Sequence, residues 1–134
     1  MPPGQINRKI RVYGGDEEPT GNHVILRVPN PILTDAQRRD CHVAGLQFGR
    51  VIRRATNPVK VKVIREKGYW VHEIEEFGIW SAEEDFDRSR EYFRDHLLHL
   101  YLEYMAMTPG NATRGALAIK KRLQDLFSVE ELVA

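Results

Sequence analysis

Three features of the sequence predict an α+β fold, in which a small antiparallel β-meander packs on one long helix, with an N-terminal β-hairpin extension and a C-terminal helix. Val59, Val61 and Val63 alternate with Lys60, Lys62 and Ile64, the period of a half-buried strand. Gly68 and Gly78 then divide the following stretch into short β-like runs. Beyond Ser81, the residues Phe86, Phe93, Leu97, Leu100, Tyr101 and Tyr104 recur at helical spacing, which gives one apolar stripe to lay on the sheet.

In chain order, residues 7–13 place Ile10 and Val12 on one side of a strand, and residues 23–28 are rich in β-formers. The glycines and proline of residues 14–22 suit the loop of a hairpin between them. Pro29 and Pro31 punctuate the chain, and Thr34 with Gln37 has the spacing of a capping box opening a short helix. Residues 46–54 fit neither period cleanly; Gly45 and Gly49 weigh against a helix, so a strand is expected there. Asn57-Pro58 reads as a turn before the valine strand, and Glu66-Lys67-Gly68 as a tight connection to a second strand over residues 69–75. Phe77 to Trp80 gives a third short strand or a bend onto the helix.

Ser81 and Glu84 have the capping-box spacing, and Glu83, Glu84, Asp85 and Asp87 would then occupy the first helical turns, where the dipole favours negative charge. Leu98, Leu102 and Met105 form a second apolar stripe that needs a cover. The expected cover is a last helix carrying Ala116, Ile119, Leu123, Leu126 and Phe127, after a break at Thr108-Pro109-Gly110-Asn111. Ser128 and Glu131 predict a final capped turn. The 134 residues are expected to form one domain: a β-rich extension over 1–56, a β-β-β-α core over 57–106 and a helical segment over 111–134.

A composition of 42% hydrophobic and 29% charged residues is that of a globular chain. The longest apolar runs, such as residues 24–26, fall far below the roughly 20 residues of a membrane span. The start MPPGQINRK lacks the apolar stretch of a secretory signal, and the lone Cys41 fits a reducing compartment, so a cytoplasmic location is expected. The net charge of +1 hides a split: residues 1–67 carry 13 Lys and Arg against 6 Asp and Glu, whereas residues 68–106 carry 3 against 10. Segregated charge points to faces and partners rather than to a fold, and the two segments could simply pack side by side.

No phosphate-binding loop, dinucleotide fingerprint, nucleophile elbow or zinc-protease motif is present, so the residues name no catalytic group and no cofactor. His96 and His99 lie three apart near Asp95, one edge of a metal site that would need further ligands; a small metal protein or enzyme is the third alternative. His72 with Cys41 and His42 could pair as base and nucleophile, without an identifiable orienting acid. Arg50, Arg53 and Arg54, with Arg38, Arg39, Lys60 and Lys62, make the basic half a candidate nucleic-acid surface. Glu83, Glu84, Asp87 and Glu91, with Trp80, make the acidic block a candidate surface for a basic protein.

Residues 61–104 resemble the small domain of HicB-type antitoxins. Gly68-Tyr69-Trp70-Val71 stands where that family opens its second strand, Phe77-Gly78-Ile79 where it has a loop and short third strand, and Leu100-Tyr101-Leu102-Glu103 matches the end of its helix. The chain lacks the family's usual proline and cysteine near the third strand, has Ser81-Ala82-Glu83 at the helix start, and carries no typical DNA-binding module after it. The resemblance implies a non-enzymatic antitoxin that neutralises a small basic toxin-like protein, and an exposed meander edge adds the expectation of a homodimer.

Overall fold

The computed structural model describes residues 21–28 and 37–133. It confirms the α+β class: an antiparallel sheet backed by two helices. The strands are β1 His23–Arg27, β2 Cys41–Phe48, β3 Val51–Glu66, β4 Tyr69–Ile74, β5 Ile79–Glu83 and β6 Val129–Leu132; the helices are α1 Phe86–Met105 and α2 Arg114–Leu126. Their order across the sheet is β1-β2-β3-β4-β5, and β6 pairs with the first part of β3. The expected strand over residues 7–13, its loop and the Thr34 cap lie outside the described residues, while β1 pairs with β2.

β3 is the spine. Its residues 51–54 run between β2 and β6, and its residues 62–66 pair with β4. The strand expected over residues 46–54 is two strands, joined by the two-residue turn Gly49-Arg50, with Gly49 at φ 61° and Phe48 facing Val51. Asn57-Pro58 does not reverse the chain. Val59 faces Val43 and Arg54 faces Gly45, so residues 55–58 bulge out opposite Ala44 within one continuous strand. Proline has no N–H to give a ladder, and the bulge asks none of it. Lys67-Gly68 is the tight turn expected, both residues at positive φ, with Glu66 facing Tyr69.

Two boundaries differ from the sequence reading. Ser81 does not cap the long helix, because β5 continues to Glu83, which faces Trp70 across the ladder. Asp85 caps instead, its carboxylate accepting from the Arg88 N–H at 3.3 Å, and only Asp87 of the acidic run sits in the first turn. Nor is there a final turn at Ser128 to Glu131, which lies in and beside β6. The Thr56 hydroxyl lies 3.2 and 3.3 Å from the carbonyls of Asp125 and Leu126, a tether between the end of α2 and the bulge of β3. From there the chain adds to β3, and Arg53–Glu130 and Arg54–Glu131 ion pairs join the two strands.

The core lies between the helices and one sheet face. Val43, Leu46, Val59, Val61, Val63 and Ile79 from the sheet meet Phe93, Leu97 and Tyr101 of α1 and Leu123, Leu126 and Phe127 at the end of α2. The stripe predicted for the long helix is therefore the buried one. The second stripe is covered only in part: α2 packs on α1, but Leu102 stays 44% exposed. A smaller cluster, Ile25, Ile52 and Val133, packs with Ala44.

Candidate functional site

β5 is the last strand of the sheet order, and among the described residues its outer edge pairs with no other strand. Alternation along it turns Ile79 and Ser81 inward to α1 and Trp80 outward, where the indole is 60% exposed. Opposite Trp80 stands Glu73, and opposite Glu73 stands Lys62, a polar row across the outer face. The next row is Ile64, Val71 and Ala82, with Tyr69 exposed beyond it.

The five residues expected to bind a partner fall on this edge and on the helix that follows. Glu83 ends β5, Glu84 lies in the connection, and Asp87 and Glu91 stand on the first turns of α1. Their charge states of pairing differ. Asp87 accepts from Arg90 at 3.1 Å, and Glu91 holds Arg90 and Arg94 at 3.4 and 3.3 Å, both guanidinium groups lying in largely buried side chains. Glu83 and Glu84 make no ion pair among the described residues. The strand-to-helix corner thus presents uncompensated negative charge beside an exposed indole and an unpaired strand edge.

The three arginines expected to bind nucleic acid are divided. Arg50 is exposed at the β2–β3 turn, whereas Arg53 and Arg54 are bound to Glu130 and Glu131 at 3.0 and 3.3 Å. Arg39, from the same basic set, lies 4.7 Å from the ring centroids of both Trp70 and Phe86, a cation–π contact over the end of the core. His96 and His99 are exposed on α1, and among the described residues no three His, Cys, Asp or Glu side chains converge as a metal site. Cys41 is buried in β2, with β3 between it and the strand that carries His72.

Beneath the edge lies a polar cluster that the sequence did not reveal. His72 of β4 is fully buried, with Nδ1 2.8 Å from the Ser89 hydroxyl of α1. The Ser89 hydroxyl donates to the Trp70 carbonyl at 2.8 Å, and the Ser81 hydroxyl donates to the Ser89 carbonyl at 2.7 Å. Each hydroxyl's one hydrogen is then committed, so Nδ1 must be the donor to Ser89 and Nε2 the bare acceptor. Among the described residues Nε2 has no hydrogen-bond partner. Burial, with the nearby Arg90 charge, pushes the imidazole pKa down to about 4. The serines stand eight residues apart on a strand and a helix; the false capping box was the one signal at Ser81, and it pointed to another role.

No family model, no curated protein and no solved structure matches this chain. No helix among the described residues is long and apolar enough to cross a membrane.

Proposed function

We propose that the protein is a non-enzymatic binding protein of the HicB-type antitoxin kind, which captures an extended basic segment of a small partner protein along β5. The observation that carries this reading is the coincidence, at one strand edge left unpaired among the described residues, of the exposed Trp80 on β5 with Glu83 at its end and Glu84 just after it, neither carboxylate in an ion pair among those residues. An added strand would satisfy the edge's main-chain groups, its alternate side chains would reach Trp80, and its cations would lie against the acidic corner. Asp87 and Glu91 continue the acidic surface along α1, but Arg90 and Arg94 match their charge, so steering of a basic partner falls mainly to Glu83 and Glu84 and speeds encounter more than it adds affinity. The resemblance of residues 61–104 to the antitoxin domain supports the same partner class.

The test is calorimetric titration of the full chain with a synthetic peptide of alternating lysine and valine, with its glutamate counterpart as control. Binding of the basic peptide alone, weakened by salt, is expected. Reversal of Glu83, Glu84, Asp87 and Glu91 to lysine should abolish it, and Trp80→Ala should weaken it by about tenfold, or about 1.4 kcal/mol. Equal binding by the charge-reversed protein would refute the surface, as would self-association through β5 in place of peptide binding.

A further inference from the structure

At the other end of β3 from the β5 edge, a concave site of about 550 Å³ opens between the sheet and the two helices. Phe48 and Tyr101 stack at 5.6 Å to make part of its wall, Val51 adds to the strand side, and Leu102 and Met105 project from α1. Gln124 of α2 and the Arg53–Glu130 pair supply its polar groups. This volume lies within the roughly 300–1,000 Å³ of small-molecule sites, and an apolar lining with a few convergent polar groups is their usual chemistry.

We infer that this groove binds a neutral, largely apolar small molecule carrying a hydrogen-bonding head. Charge decides the class. Among the described residues, the only charged side chains in the lining are Arg53 and Glu130, and they neutralise each other across the β3–β6 ladder at 3.0 Å. A charged ligand gains little there, because attraction to one member of the pair is offset by repulsion from the other a few ångströms away. A neutral head can accept from Arg53 or Gln124 or donate to Glu130 while the pair stays intact. Shape separates a small molecule from a protein: a protein interface spreads over roughly 800 Å² per partner, whereas this site is a recess with Leu102 at 44% exposure in its wall. The recess has a structural origin. The second stripe of α1 is longer than α2 covers, because α2 buries Leu123 and Leu126 near its end and the chain then leaves for β6.

The proposal is tested on the full chain with N-phenylnaphthylamine, a neutral fluorophore that brightens in apolar sites, and with the anionic anilinonaphthalene sulfonate. Saturable binding of the neutral probe is expected, at least about tenfold tighter than that of the anion. Leu102→Trp, which fills the groove from an exposed position, should weaken the neutral probe by about tenfold or more, while Tyr69→Ala on the outer sheet face should not. Glu130→Gln frees Arg53 and should shift preference toward the anion, a readout that does not depend on the filling variant's folding. Absence of neutral-probe binding, equal affinity for both probes, or an unchanged preference in Glu130→Gln would overturn it.

Discussion

At position 72 the fold keeps an imidazole neutral by enclosing it, and this sets an acid limit on stability. The folded pKa of about 4 lies below the ordinary 6.5, so between those values the unfolded chain binds the proton and the folded chain does not. Stability is therefore fully present above pH 6.5, declines as the pH falls toward 4, and levels off below, a loss of about 3 kcal/mol from this group. Urea unfolding from pH 7 to 4 should show a slope shallower by that amount in His72→Leu than in the parent; parallel slopes would contradict the assignment. Gly45 gives a second residue-scale expectation. A Cβ there would lie 2.8 Å from the Arg53 carbonyl, in backbone that β2 and β6 hold from both sides, so Gly45→Ala should cost about 1–3 kcal/mol in the same assay. Neither property was legible in the sequence: Ser89 is 17 residues from His72, and Gly45 reads as a helix breaker until the facing strand is known.

Among the elements, those with a strong period were legible and those defined by a partner were not. The valine alternation of β3, the Lys67-Gly68 turn and the Phe93-Leu97-Tyr101 stripe of α1 stand where the sequence places them, because each buries a face that its own spacing defines. The sequence of β6 suggests a turn, since four residues with two glutamates show no alternation; its strand state comes from β3 and from Arg53 and Arg54. α1 starts four residues later than its sequence suggests, because Ser-Ala-Glu-Glu matches a cap while the ladder to Trp70 holds Ser81 to Glu83 extended. Substitutions distinguish the two roles. Asp85→Ala should cost about 1 kcal/mol and speed hydrogen exchange at the Arg88 amide, the group the cap accepts from. Ser81→Ala should cost about 1–3 kcal/mol by stripping a buried donor from the Ser89 carbonyl, with the Arg88 amide unchanged relative to global stability. Faster relative exchange at Arg88 in Ser81→Ala would restore the serine as the cap.

For the molecule as a whole, β3 decides what can fold alone. The sequence places a division between an extension over 1–56 and a core over 57–106, yet β3 runs through that boundary from Val51 to Glu66. The inward side of its second half faces a core that also draws Cys41, Val43 and Leu46 from β2 and Leu123, Leu126 and Phe127 from the carboxy-terminal part. The charge split follows the same plan: Arg53 and Arg54 of the basic half are met by Glu130 and Glu131 of β6, which leaves Glu83 and Glu84 of the acidic block without them. A fragment of residues 57–106 would retain β4, β5 and α1 but lose the neighbours that bury Val59, Val61, Leu97 and Tyr101. At 50 residues a domain is already close to the size at which a single core fails to outweigh chain entropy. The fragment should therefore lack a cooperative thermal transition by circular dichroism, while the full chain should show coincident transitions by circular dichroism and tryptophan fluorescence. A fragment melting sharply with native-like ellipticity would make residues 57–106 the folding unit, and the flanking strands additions to it.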